Sequence, residues 1–234
     1  VNGLVIRPKF DEVTEHSYRW GDDPVNLLKQ VNAEVKDLGG RPISKAEVKE
    51  AIIQDDPEIV VHYDHGEEDG WLGSPTETVM TSKEAGLLTG RFVYTMNCLS
   101  AKKLGVEAWK KKCKVYVGYT QVFAFTEDEQ HLFREAAVYG LRVYLIDGVG
   151  ETEIKHKMIQ KYDEMINSAK NVWSQIWLTH DRDALVVYNG EAPTSDCPFR
   201  RLAIKLFGAR LGWRLPSLSI KLSITLMIIK AVKG

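Results

Sequence analysis

The chain has 234 residues, 44% of them hydrophobic and 27% charged, with a formal net charge of −1. That length and balance fit a globular domain with a sizeable core, and a near-neutral chain offers no general field for nucleic acid. No basic segment leads into an apolar stretch of signal-peptide type, and no run reaches the roughly 18 apolar residues of a membrane-spanning helix. The start at Val1 is compatible with a trimmed or excised chain.

Residues 3–6 read as a short apolar strand stopped by Pro8. Pro24 opens a helix carried by Val25, Leu27, Leu28, Val31 and Val35 and closed by Gly39-Gly40. Ser44 and Glu47 form a capping box ahead of a helix bearing Val48, Ala51 and Ile52. After Pro57, residues 58–63 read as a buried strand that ends in Asp64-His65-Gly66. Residues 67–81 read as a polar, Gly-rich loop, and Thr81 or Ser82 caps a short helix through Ala85, Leu87 and Leu88. Residues 91–96 form a second buried strand, ending in Asn97-Cys98.

A helix over 100–112, a strand over 115–119 and helices over 127–139 and 152–169 follow. His180-Asp181 reads as part of a turn before a last strand over 184–188. Strands separated by single helices imply βαβ units, and so an α/β three-layer sandwich around a mostly parallel sheet.

The tail differs in character. Residues 197–234 hold eight basic residues and no acidic one, and from 217 to 226 Leu218, Ile220, Leu222, Ile224 and Leu226 alternate with period two. The expected organisation is therefore a domain over 1–196 with a basic C-terminal extension over 197–234 packed on it. Peripheral contact of this extension with an anionic membrane is the alternative.

Three cysteines, Cys98, Cys113 and Cys197, make neither a disulfide framework nor a C-x-x-C metal pair. A reducing compartment, the cytoplasm, is the simpler expectation. His62 and His65 are three residues apart on a strand and so point to opposite faces. No metal is implied, and His62 reads as a satisfied core histidine. No cofactor is implied either.

His65 and Cys98 carry the chemistry. Each closes a buried strand, and in open α/β sheets the carboxyl ends of the strands are where ligands bind. A thiolate is a strong nucleophile, and an adjacent imidazole can take its proton and later protonate a leaving amine.

The order strand, His-Gly, helix, strand, Cys resembles the caspase-like superfamily of cysteine peptidases. Tyr63-Asp64-His65-Gly66 is similar to the legumain His motif, Gly70-Trp71 to a gingipain-type stretch, and residues 112–120 to the strand after the nucleophile in bacterial and archaeal members. The resemblance spans residues 1–190 and implies a cysteine endopeptidase with a Cys98–His65 dyad. It also implies an oxyanion hole made by the Gly66 and Cys98 N–H groups, with no third acid. It implies a peptide or protein substrate, while the net charge of −1 argues against nucleic acid. Met96-Asn97 stands where caspases have Gln-Ala, so aspartate specificity is not implied.

In this superfamily the loop after the first strand often supplies the floor of the S1 pocket. Here that loop carries Asp11, Asp22 and Asp23, which favours Arg or Lys at P1, with Tyr63 as a further substrate contact; Arg7 alone would favour an acidic P1. Self-cleavage is expected at the Gly-rich joint over 147–150, at Arg182 or at Arg200-Arg201. A catalytically inactive interaction module on the same fold is the rival reading, motivated by Asn97 and the short Cys motif.

Overall fold

A computed structural model describes residues 2–190. Six strands form the central sheet: β1 (Asn2–Arg7), β2 (Glu34–Gly39), β3 (Ile59–Tyr63), β7 (Phe92–Met96), β8 (Val115–Tyr119) and β9 (Leu185–Tyr188). Their order is β2-β1-β3-β7-β8-β9, and every pairing is parallel except that of β8 with β9. The inner strands β3, β7 and β8 are buried along their whole length, as runs covered on both faces must be.

Alternation along each strand sorts the core into two layers. Val5, Val61, Tyr63, Tyr94, Met96, Val117 and Tyr119 face one side. They meet α1 (Glu12–Trp20), α2 (Asp22–Gln30), α5 (Gln130–Leu145), α6 (Ile154–Ser168) and α7 (Val172–Ala184) through residues such as Trp20, Leu28, Phe133, Met158 and Leu178. Leu4, Ile6, Val60, Val93 and Tyr116 face the other side. There they meet α3 (Lys45–Asp55), α4 (Leu104–Lys110), a 3₁₀ helix (Ser82–Leu88) and a small sheet. This is the expected three-layer, mostly parallel α/β sandwich.

Several local expectations are corrected. The helix expected from Pro24 to Val35 stops at Gln30; Asn32 turns left-handed at φ 56°, and the chain re-enters the sheet as β2. Its Glu34, Lys36 and Asp37 suit an edge strand, which protects itself with charge. The polar stretch 67–81 is a three-stranded antiparallel sheet of β4 (Gly66–Glu67), β5 (Gly70–Ser74) and β6 (Glu77–Thr81). Glu12–Trp20, expected as loop, form α1, capped by Asp11. His180 and Asp181 lie inside α7 rather than in a turn. Arg182 lies there too, ion-paired with Asp163 and Asp183, so it offers no exposed loop for self-cleavage. The expectations for the basic tail and for Arg200-Arg201 lie outside the described residues.

Candidate active site

The strand order reverses between β1 and β3, since the chain moves from β1 outward to β2 and then back to β3. A crevice at the carboxyl edge of such a switch point is where α/β sheets place their ligands. The segments leaving β1 and β3 there carry Asp11 and His65, and the two side chains meet: His65 Nε2 lies 3.0 Å from Asp11 Oδ2.

Local sequence holds that carboxylate in place. Asp11 is the N-cap of α1; its Oδ1 accepts from the Thr14 N–H at 2.7 Å, while Thr14 Oγ1 accepts from the Asp11 N–H at 2.8 Å. One oxygen caps the helix and the other orients the imidazole. Burial alone would raise the Asp11 pKa, but the hydrogen bonds from His65 and Thr14 outweigh it and hold the group at about 2. The sequence reading puts Asp11 in the S1 pocket; the structure brings its carboxylate to His65, a contact that reading does not contain. The signal was present in the sequence as Asp11-Glu12-Val13-Thr14, a capping pattern that fixes where the carboxylate points.

Cys98 follows β7. Tyr63 pairs with Met96 as the last rung of the parallel ladder, so the turns that carry His65 and Cys98, each two residues further on, leave adjacent strands side by side. The two turns touch: a methyl group at Gly66 would lie 2.5 Å from the Cys98 carbonyl oxygen and 3.0 Å from Asn97 Cγ. Only a glycine allows that approach. Leu99 then takes a left-handed conformation at φ 63°, which costs a non-glycine residue about 1–2 kcal/mol and turns the chain sharply beyond Cys98.

The segment after β8 closes over this turn. Gln121 O accepts from the Leu99 N–H at 3.0 Å. Two residues of α7 hold the segment by its backbone: His180 Nε2 donates to Val122 O at 2.9 Å, and Asp181 Oδ1 accepts from the Ala124 N–H at 3.1 Å. Cys98 is half-buried, and burial pushes its thiol up to about 11. The Phe123 backbone opposes that rise, whereas Asp181 and Asp64 reinforce it. Both acids are themselves pushed well above the usual carboxylate range, chiefly by burial. Cys98 therefore rests as a thiol.

Alkylation of Cys98 by iodoacetamide, located by mass spectrometry, is expected to be slow at pH 7, where about one sulfur in ten thousand is ionised, and to climb roughly tenfold per pH unit. A rate that levels off below pH 9 would contradict this assignment.

The remaining predicted contacts are placed as follows. Asp22 pairs with the buried Arg7 at 2.5 Å, and Arg7 also forks onto Asp37. Asp23 takes a two-pronged hydrogen bond from Arg134, at 2.6 Å to each oxygen. Arg7, Asp22 and Asp23 are thus engaged within the fold. Tyr63, expected as a substrate contact, is 1% exposed and packs in the core, because its place on β3 points it at the helical layer. In the loop after His65, Glu68 and Asp69 pair with Lys102 and Lys103. Cys113 is buried on the opposite layer from Tyr63, and its thiol is pushed up to about 12 by burial. His62 is fully buried and stacks on Trp71 at 5.0 Å, with a hydrogen-bond partner at each ring nitrogen. Among the described residues no His, Cys, Asp and Glu side chains cluster as a metal centre would require.

No family model and no curated protein matches the chain. Solved structures do. A complex of the pro- and mature domains of Porphyromonas gingivalis RgpB superposes with a TM-score of 0.58 at 10% identity, covering 80% of this chain and 47% of that one. The Arg-specific cysteine proteinase gingipain R (RgpB) gives a TM-score of 0.57 at 10% identity, covering 80% and 46%. The chain spans about half the length of the structures it matches. The fold is a caspase-like α/β fold shared with a cysteine proteinase.

Proposed function

We propose that this chain is a cysteine endopeptidase whose nucleophile is Cys98 and whose general base is His65. One observation carries the reading: at the switch point of the sheet, an imidazole held by a capped carboxylate belongs to a His-Gly turn that touches the cysteine turn of the adjacent strand. The likeness to gingipain R supports it at the level of fold.

The chemistry follows from these groups. His65 accepts the thiol proton as Cys98 Sγ attacks the peptide carbonyl, and Asp11 stabilises the imidazolium that forms. The Gly66 and Cys98 N–H groups receive the oxyanion, each such donor contributing about 3 kcal/mol to barrier lowering. His65 returns the proton to the departing amine, and water then hydrolyses the thioester. A thiol resting near 11 requires this proton transfer to accompany attack, because little thiolate exists beforehand.

We place P1 at Arg or Lys. Asp11, beside His65, keeps a partly exposed carboxylate at this edge of the sheet, whereas Asp22 and Asp23 are taken up by Arg7 and Arg134. Gingipain R is described as Arg-specific. Reporter peptides with Arg, Lys, Asn and Asp at P1 test both levels. Turnover after Arg or Lys that Cys98→Ala abolishes, with the fold retained by circular dichroism, is the expected result. Undiminished hydrolysis in that variant sinks the peptidase reading; equal or faster cleavage after Asp sinks the P1 assignment alone.

A second reading, an inactive interaction module, is favoured by the raised thiol and by the absence of a Cys98–His65 hydrogen bond among the described residues. Failure of the whole panel, together with a thiol inert to alkylation even at high pH, is its expected signature.

A further inference from the structure

Beneath the two turns lies a buried polar circuit with a fixed direction. Trp71 Nε1 donates to Tyr116 OH at 3.1 Å, and Tyr116 OH donates to Ser100 Oγ at 3.0 Å. Ser100 Oγ donates to Asn97 Oδ1. Asn97 Nδ2 lies 2.8 Å from His62 Nδ1, and His62 Nε2 lies 3.0 Å from the Leu72 carbonyl oxygen. A carbonyl only accepts, so Nε2 carries the ring proton and Nδ1 is the acceptor for the Asn97 amide. The circuit closes on itself, since Leu72 follows Trp71, which stacks on His62. Asn97, Ser100 and His62 are 2%, 0% and 0% exposed.

We propose that Asn97 is a positioning residue: its side chain, wedged under Gly66 and tied on one side to His62 of β3 and on the other to Ser100, sets the spacing between the Gly66 and Cys98 turns. The wedge is seen directly, since a methyl group at Gly66 would lie 3.1 Å from Asn97 Cβ. Both backbone donors of the proposed oxyanion hole sit on these turns, at Gly66 and Cys98, so their separation depends on Asn97. Of the groups in contact with it, His62 supplies only an acceptor and Ser100 only a donor, which fixes the amide in one orientation. The circuit also gives Asn97 a reason to stand where caspases have Ala: the space below the turn presents an acceptor, His62 Nδ1, and a donor, Ser100 Oγ, and an amide answers both.

The inference rests on the peptidase reading for its catalytic consequence and on geometry alone for its structural one, so the test has two arms. In the first, Asn97→Ala is expected to lower kcat about 100-fold with KM within threefold, as loss of one oxyanion donor does. Tyr162→Phe, which removes the remote Tyr119–Tyr162 hydroxyl contact, is expected to lower Tm with kcat within threefold. Equal kcat in Asn97→Ala and wild type, or kcat losses that simply follow Tm in both variants, overturns the proposal. In the second arm, amide hydrogen exchange over residues 64–66 and 97–100 is expected to quicken at least tenfold in Asn97→Ala, with β1 and β8 unchanged. Unchanged exchange overturns the proposal whether or not the chain cleaves peptides, while absent wild-type turnover counts against the peptidase reading alone. If Asn97→Ala does not fold, Ser100→Ala, which frees only the Oδ1 side of the amide, is read by the same two arms with an expected tenfold loss in kcat.

Discussion

Acidification from pH 7 to pH 3 is expected to remove about 4 kcal/mol of native stability through His62 alone. Burial is the main cause: it holds this imidazole at about 3, against an ordinary value of 6.5, with the charge of His65 adding to the shift and the hydrogen bond to Leu72 opposing it. Between those two values the unfolded chain binds a proton that the folded chain does not. The stabilisation is therefore complete above pH 6.5 and is lost as pH falls towards 3.

A protonated His62 also has no acceptor left for Asn97, so acid breaks the circuit at the same point. Denaturant unfolding at a series of pH values should show wild type losing stability steeply over this range. His62→Gln should follow a curve flatter by about 4 kcal/mol in total. The buried carboxyls of Asp64 and Asp181 titrate in the opposite sense, since both favour the protonated form in the fold, and they cancel in the difference between the two proteins. Parallel curves, or an NMR titration of the His62 ring above pH 5, would show that the imidazole is not held neutral by the fold.

What the sequence made legible follows from which signals are local. The strands β3 and β7 could be read because a parallel strand covered on both faces is apolar throughout, and their ends located His65 and Cys98 without further information. The small sheet was hidden by its own packing. Gly70 and Gly73 look like loop residues, yet each is a strand residue pressed against a neighbour: a methyl group at Gly70 would lie 2.5 Å from Met80 O, and one at Gly73 2.3 Å from Ile43 O. The strand β2 was misread because Val31 and Val35 are spaced as on a helix, and only the left-handed turn at Asn32 separates them. Asn97 and His62 could not be joined by sequence at all. They lie 35 residues apart, and the register of β3 against β7 is what brings them together. The same holds for Asp22 and Asp23, whose charges favoured a basic P1 residue until the fold placed Arg7 and Arg134 against them.

Asp11→Asn is expected to lower kcat by about 100- to 1,000-fold while leaving stability within about 0.5 kcal/mol of wild type. The two halves of that expectation come from the two oxygens of one side chain. Asn is as good an N-cap as Asp, so the bond to the Thr14 N–H survives and α1 keeps its start. The bond to His65 does not survive in the same sense. A carboxylate can only accept, so Asp11 obliges His65 Nε2 to carry the proton and leaves Nδ1 as the base. An amide can present its NH₂ instead, which admits the tautomer with the proton on Nδ1 and removes the base. The amide also carries no charge to stabilise the imidazolium.

Partial exposure of the Asp11 carboxylate keeps the expected loss below the roughly 10,000-fold seen when a fully buried triad carboxylate is replaced in this way. Asp11→Ala separates the roles further: it should lose the same catalytic factor and, with the cap gone, about 1 kcal/mol of stability as well. Because Asp11 is held at about 2, it stays ionised through the whole range in which activity can be measured, so the acid limb of the wild-type pH profile should not move with it. Steady-state kinetics and thermal unfolding of the two variants decide the matter. If Asp11→Asn turns over within threefold of wild type, the carboxylate does not orient the base, and its contact with His65 serves only to join α1 to the end of β3.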